Sequence, residues 1–197
     1  MAPEKNHSLD MIDCRFVVGI DLGTTNVAVS YVDLEGDLEL RQFAVPQLVA
    51  PGEIAEADLL PACCYLPAGP ELPPGALSLP WAITPNHAVG VFAREQGTGV
   101  PERLVASAKS WLCHSGVDRT ADLLPWHGAP DVDRLSPVEA SARYLTHFAR
   151  AWDAQFPKHP LAKQEVVLIT ELMITSLKRH ILKIKNSQPK LKVIKDW

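Results

Sequence analysis

The chain has 197 residues and a formal net charge of −4, which is long enough to bury one sizeable hydrophobic core or two small ones. Hydrophobic residues make up 47% and charged residues 21% of it, a balance that excludes a wholly disordered, collagen-like or coiled-coil protein. Met1 to Asp10 is polar and the apolar runs are short, so we expect neither a secretory leader nor a membrane span. The four cysteines are irregularly spaced and do not suggest a disulfide framework, which favours a cytoplasmic location.

The first elements predicted along the chain are strands. Residues 16–21 form a short apolar run, and residues 27–33 alternate between apolar and polar side chains. The intervening Leu22–Asn26 contains a glycine, and strand, glycine turn, strand is typical of a β-hairpin. Residues 38–45 predict a third strand.

A proline-rich stretch follows. Residues 46–85 hold nine of the 17 prolines, which excludes a helix and predicts a surface insertion made of loop and short extended pieces. We expect strands at residues 62–66 and 88–92. Cys63 and Cys64 are adjacent in the first of these, so they should point to opposite faces and cannot share a metal ion.

Two helices and a last strand are predicted next. Pro101 is expected to open a helix with one apolar face that ends at Gly116. Ser136, followed by Pro137 and Glu139, forms a capping box for a second helix, which Pro157 should end. Residues 165–170 are typical of a buried strand. The order of elements predicts a mixed α/β lobe.

The charge of the chain changes abruptly near its end. From Leu177 onward one aspartate, Asp196, stands against seven basic residues: Lys178, Arg179, Lys183, Lys185, Lys190, Lys192 and Lys195. The region before it is acidic, which argues against nucleic acid as a partner of the lobe. A shift of this kind marks either a basic arm or a stretch of different origin.

The hairpin turn has the composition of a phosphate-binding loop. Gly23 would let the main chain come close to a ligand, and successive amides in such a turn can form an anion nest. Thr24 and Thr25 add hydroxyl donors. Asp21 would face the same anion, and a carboxylate beside a polyphosphate is repelled unless a divalent cation lies between them. The pattern therefore predicts Mg²⁺ at Asp21, held through water.

Residues Asp21 to Asn26 read Asp-Leu-Gly-Thr-Thr-Asn between two strands. This segment resembles the first phosphate motif of the actin-like ATPase superfamily, and within it the 70-kDa heat-shock (DnaK-like) chaperones most closely. The resemblance implies an α/β fold, the first lobe of an actin-like (ribonuclease H-like) ATPase, with a mixed sheet and flanking helices. It also implies ATP and Mg²⁺ as cofactors, bound through Asp21, Gly23, Thr24, Thr25 and Asn26.

A second segment, residues 100–112, resembles the family's helix-like turn that carries a lysine facing the γ-phosphate. That lysine corresponds to Lys109, for which the resemblance implies a catalytic role in contacting the phosphate and the attacking water. On a helical wheel Lys109 borders the apolar stripe, a position that also suits a lysine lying along the surface with no catalytic role.

The resemblance covers residues 16–170 and stops there. The expected layout is therefore a flexible segment 1–14, an N-terminal lobe of a nucleotide-binding domain at 15–170, and a basic tail at 171–197 that does not follow the family. The second phosphate loop, the adenosine site and the peptide-binding domain follow this point in the family. We therefore expect weak ATP binding, little or no hydrolysis, and unfolded polypeptide and co-chaperones as partners of the full-length family only.

Two other readings stay open. The first phosphate motif is shared with sugar kinases and rod-shape filament proteins, so the chain could be a fragment of either. Alternatively, it is a non-enzymatic adaptor whose basic tail binds an anionic partner. The segment around Lys109 favours the chaperone family.

Overall fold

The computed structural model describes residues 14–68, 71–83 and 85–169, together with the main chain of residues 191–194. Its strands are β1 (Phe16–Leu22), β2 (Asn26–Asp33), β3 (Leu40–Gln42), β4 (Val45–Ala50), β5 (Glu53–Ala57), β6 (Leu59–Pro61), β7 (Cys63–Tyr65), β8 (Ala88–Val89), β9 (Leu104–Ala106), β10 (Glu165–Ile169) and β11 (Leu191–Ile194). Its helices are α1 (Val91–Gly99), α2 (Ala108–Cys113) and α3 (Pro137–Gln155). Within these ranges no helix has the length and apolar character needed to cross a bilayer.

The main sheet is mixed, with the order β11-β10-β1-β2-β3. Strands β1 and β2 form the predicted antiparallel hairpin, and β10 pairs with β1 in parallel. Strand β6 pairs with the first residues of β2, beside β3. The sequence-based expectation of an α/β lobe with a mixed sheet and flanking helices is therefore confirmed at this level.

Alternation along β1 decides which face carries the core. Phe16, Val18, Ile20 and Leu22 are buried while the residues between them are partly or fully exposed. Helix α3 covers this face, and its Trp152 ring packs edge-on against Phe16 with the centroids 5.4 Å apart. The buried aromatic side chains therefore join the helix to the first strand.

Helix α3 begins as its sequence predicts. The Ser136 hydroxyl accepts a hydrogen bond from the Glu139 amide at 3.1 Å, Pro137 is the first helical residue, and the helix ends at Gln155 before Pro157. The cap satisfies one amide that has no partner within the helix. Capping and apolar periodicity were sufficient to place this element.

The proline-rich stretch contains loop and short strands as predicted, but it is not confined to the surface. It contains strands β5 to β7 and most of β4, and residues 60–66 are buried. Among its described prolines, Pro46 lies near the start of β4, Pro51 in a turn and Pro61 at the end of β6, positions where a missing amide costs little. Cys64 joins the main core and Cys63 a second cluster around Tyr65 and Phe92, as expected for neighbours on a strand.

The prediction of one helix from Pro101 to Gly116 is also wrong. Residues 101–103 form a short 3-10 turn, Leu104–Ala106 is strand β9, and α2 starts only at Ala108 after Ser107 takes a left-handed conformation with φ 53°. Strand β9 pairs with β7. Strand β7 gives residues 104–106 hydrogen-bond partners that outweigh their helical spacing.

Two smaller expectations also need correction. The strand predicted at 88–92 is limited to Ala88–Val89, and α1 follows from Val91. The strand predicted at 38–45 is shorter, since β3 covers only Leu40–Gln42 and Val45 already belongs to β4.

The ends of the chain lie mostly outside the described residues. That holds for the expected flexible segment 1–14 apart from Cys14, whose thiol donates to the Phe16 carbonyl at 3.1 Å. It holds also for the basic tail 171–197 apart from β11, which pairs in parallel with β10.

The buried side chain of Gln164 links the start of β1 to the segment that precedes β10. The Gln164 carboxamide oxygen accepts from the amides of Arg15 and Phe16 at 3.1 and 2.9 Å, and its nitrogen donates to the Pro160 carbonyl at 3.1 Å. Gln164 is 2% exposed. This side chain therefore holds the start of β1 against the chain that leads into β10.

We predict that Gln164→Met lowers the free energy of unfolding by about 2–4 kcal/mol, because it leaves buried amides without an acceptor. Urea denaturation measures the change. The matched control is Gln155→Met at the exposed end of α3, which should stay within about 0.5 kcal/mol of the wild type. Equal losses in the two variants would contradict the role given to Gln164.

His147 predicts acid sensitivity. It is buried on α3 and its Nε2 donates to the Pro46 carbonyl at 2.9 Å. Burial lowers the pKa of His147 to about 4; the Pro46 hydrogen bond acts in the opposite direction, and Arg150 lowers the pKa further. In the unfolded chain the histidine pKa is near 6.5. Between pH 6.5 and 4 the unfolded chain therefore binds a proton at this residue and the folded protein does not. Stability is therefore full above pH 6.5 and falls as pH drops towards 4.

The test is His147→Gln, which keeps a donor for Pro46. Between pH 7.5 and 4.5 the wild type should lose about 2–3 kcal/mol more unfolding free energy than this variant, as measured by urea denaturation at each pH. His127→Gln, at an exposed histidine, should retain the wild-type pH dependence. A wild-type slope in His147→Gln would contradict the assignment.

Candidate functional site

The turn between β1 and β2 is built around Gly23. The Gly23 amide donates to the Asn26 carbonyl at 3.0 Å, which closes the hairpin after the last strand pair, Leu22 with Val27. A Cβ at position 23 would lie 2.5 Å from the same carbonyl oxygen. The turn therefore requires glycine because of close approach of the main chain to itself.

The far side of this turn is fixed by the proline-rich stretch. The Thr25 carbonyl accepts from the Ala62 amide at 2.8 Å, and β6, which ends at Pro61, pairs with the start of β2. The turn is thus hydrogen-bonded both within the hairpin and to a neighbouring strand. A loop held in this way is pre-organised for a ligand.

The polar side chains of the turn face outward. Asp21, Thr24 and Thr25 are exposed and Asn26 is half-buried. In the ranges that the structure describes, none of these side chains forms a hydrogen bond or ion pair. The residues predicted as a binding set, Asp21, Gly23, Thr24, Thr25 and Asn26, are therefore brought together by a single turn.

One expectation about the turn is corrected. The Gly23 amide points into the hairpin, so it cannot contribute to a nest of successive amides. No described residue accepts from the amides of Thr24 or Thr25, which leaves these two as the main-chain donors. With the two threonine hydroxyls, the turn still offers several donors to an anion.

The location of the turn is also favourable. Strands β1 and β10 run parallel, with Asp21 opposite Ile169 at their carboxyl ends, and β2 leaves β1 in the opposite direction. Ligands of open α/β sheets bind at the carboxyl ends of strands where the chain direction diverges. Asp21 and the turn lie at such a point.

Lys109 is linked to the turn only indirectly through the strand pairing of its neighbours. It is half-buried in the first turn of α2, three residues after the end of β9. Ala106 at that end pairs with Cys63, the neighbour of Ala62, which holds the turn. No ion pair or hydrogen bond between described residues includes the Lys109 ammonium group, so it has no structural partner that would explain its position.

The described residues offer few other candidates for a metal site or a nucleophile. No group of three or more His, Cys, Asp and Glu side chains in the described ranges is arranged to hold a metal ion, so Asp21 belongs to no such group. Burial raises the pKa of the Cys64 thiol to about 11, with Arg143 acting in the opposite direction. Burial also raises the pKa of Cys63. Neither thiol is a nucleophile at neutral pH.

Sequence reasoning missed a basic pocket between α3 and residues 79–89. Its cavity of about 140 Å³ is lined by Arg143, His147 and Arg150 of α3, with Trp81 and His87 opposite. The signal was present in the sequence: residues 143, 147 and 150 have the spacing of one helix face. A larger groove of about 410 Å³ lies beside the stacked rings of Trp111 and Trp126.

Comparison of the chain with known protein families and with characterised proteins gives no match. Inference about function therefore depends on the sequence motif and on the geometry of the turn.

We predict that Gly23→Ala opens the turn and lowers the unfolding free energy by about 1–3 kcal/mol, because the new Cβ would meet the Asn26 carbonyl. Urea denaturation and the amide NMR signals of Thr24 and Thr25 measure the two effects. Gly99→Ala, with no heavy atom near its Cβ, is the control and should leave both unchanged. An undisturbed turn in Gly23→Ala would contradict the close approach.

Proposed function

We propose that residues 16–169 form the N-terminal lobe of a nucleotide-binding domain of the DnaK-like chaperone family, with an actin-like fold and a cytoplasmic location. In this proposal the turn from Asp21 to Asn26 binds the phosphates of Mg²⁺-ATP. The observation that carries it is the turn itself: it is fixed on both sides, needs glycine at position 23, and presents unpaired donors at the carboxyl ends of parallel strands.

The donor set suits a magnesium-bound polyphosphate. The amides and hydroxyls of Thr24 and Thr25 would contact phosphate oxygens, and Asn26 would add an amide donor. Asp21 is an exposed carboxylate without a basic partner among the described residues. Magnesium keeps several waters and often uses only one or two carboxylates, so Asp21 would hold it through water. Bound there, Mg²⁺ would neutralise part of the phosphate charge.

Lys109 supports the chaperone assignment within the superfamily. Its ammonium group is unpaired in the described ranges, and its helix follows β9, whose last residue Ala106 pairs with Cys63, the neighbour of Ala62. In the proposed role it would orient the γ-phosphate and the attacking water, stabilising negative charge that develops during transfer. This role distinguishes ATP from ADP, because only ATP carries the third phosphate.

The same proposal sets limits on activity. The described donors of the turn approach a ligand from one side. Phosphates held from one side only would bind with a dissociation constant of about 1 mM or weaker. Hydrolysis supported by the turn and Lys109 alone would stay near background.

Binding of ATP to the full chain tests the proposal. Equilibrium dialysis at millimolar ATP should show Mg²⁺-dependent, saturable binding that weakens about ten-fold in Asp21→Asn. Asp122→Asn, an exposed aspartate far along the chain, removes the same charge and should bind as the wild type does. Absence of saturable binding, or equal weakening in both variants, would contradict the assignment of the turn.

Lys109→Ala gives a second readout. If Lys109 faces the γ-phosphate, this variant should lose the preference of the protein for ATP over ADP while retaining ADP affinity. Lys158→Ala, at an exposed lysine, should keep the preference. Submicromolar ATP binding with steady turnover would contradict the proposed single-lobe site.

A further inference from the structure

A compact basic pocket lies away from the proposed nucleotide turn. Its cavity of about 140 Å³ separates one face of α3 from residues 79–89. Its polar and aromatic lining residues are Trp81, His87, Arg143, Thr146, His147 and Arg150. The four from α3 have the spacing i, i+3, i+4 and i+7, which places them on one helix face.

Both arginines carry charge that is only partly compensated. Arg143 pairs with Glu139 through Nη2 at 3.0 Å, and its Nη1 lies 3.9 Å from the Cys64 sulfur. Arg143 is therefore held in place with donors to spare. Arg150 is exposed and forms no ion pair within the described ranges. The pocket thus holds two guanidinium groups against one carboxylate in a chain that is acidic overall.

The two histidines in the pocket are neutral acceptors. The His147 Nε2 donates to the Pro46 carbonyl, and the His87 Nδ1 donates to the Asn86 side-chain oxygen at 2.8 Å. Their other ring nitrogens carry lone pairs. Burial, assisted by Arg143, His147 and Arg150, lowers the pKa of His87 to about 4. Both rings are therefore neutral at neutral pH, and the arginines supply the positive charge of the pocket. Two guanidinium groups nearby would repel a cation from these lone pairs.

Size and chemistry together define the occupant. Sites for nucleotide-sized ligands enclose about 300–1,000 Å³, so this cavity is too small for a nucleotide. Arginine donates to tetrahedral oxyanions in a bidentate manner, and the neutral imidazoles can accept from a protonated oxygen of the anion. Thr146 adds a hydroxyl.

We propose that this pocket binds a small tetrahedral oxyanion, a phosphate ion or the phosphate end of a monoester, through Arg143 and Arg150. The site is independent of the turn at Gly23, because it uses no magnesium and shares no residue with it. Arg150, at the rim, would meet the anion from the solvent side, and Arg143 would meet it from the α3 wall.

Isothermal titration calorimetry of the full chain with inorganic phosphate, in EDTA and at constant ionic strength, tests the proposal. Wild-type protein should bind one phosphate, and Arg150→Gln should weaken the affinity about ten-fold or more. Arg150 forms no ion pair with any described residue, so this variant should keep the fold. The matched control is Arg94→Gln, an exposed arginine on α1, which removes the same charge and should not change the affinity.

Two further comparisons distinguish a phosphate monoester from free phosphate and this pocket from the turn at Gly23. Tighter binding of O-phosphoserine than of phosphate would identify a monoester as the ligand, and the reverse would identify free phosphate. The proposal would be overturned by absence of saturable binding, by equal affinities in Arg150→Gln and wild type, or by equal losses in Arg150→Gln and Arg94→Gln. Binding that is lost in Gly23→Ala but kept in Arg150→Gln would place the anion on the hairpin turn and would also overturn it.

Discussion

The pairing of β1 with two strands of opposite direction is the constraint on which the rest of the structure depends. On one side β1 continues into antiparallel β2 through the Gly23 turn, and on the other it pairs with parallel β10. The turn therefore emerges where two parallel strands end together. The exposed side chains of Asp21, Thr24 and Thr25 therefore lie at this edge, and that placement follows from main-chain pairing.

The proline-rich stretch makes this edge rigid. Ala62 bonds to the turn, β6 pairs with β2, and the buried Gln47 joins β6 to α1 by donating to the Leu59 carbonyl and accepting from the Val91 amide, each at 3.0 Å. A glutamine side chain can replace a missing strand partner because it carries both a donor and an acceptor. The stretch thus acts as a support for the candidate site.

Local signals were sufficient where one interaction decides the structure. The hairpin follows from alternation around a glycine turn, and α3 follows from Ser136, Pro137 and its apolar spacing. The segment 101–106 was not predictable in this way, because its pairing with Cys63–Tyr65 is a contact distant in sequence.

Helix α1 was missed because Gly97 and Gly99 lower helix propensity. Gly97 is needed there because Leu104 packs where its Cβ would be. The residues of the turn were identified from sequence, whereas the use of the Gly23 amide inside the hairpin required coordinates.

Strand β7, although short, lies between two hydrophobic clusters and contributes a side chain to each. Cys63 belongs to the cluster that includes Tyr65 and Phe92, and Cys64, the next residue, belongs to the core under α3. One extended segment is the common wall of two apolar compartments. Because a shift of this segment would change the packing of both compartments at once, we expect the two to unfold together.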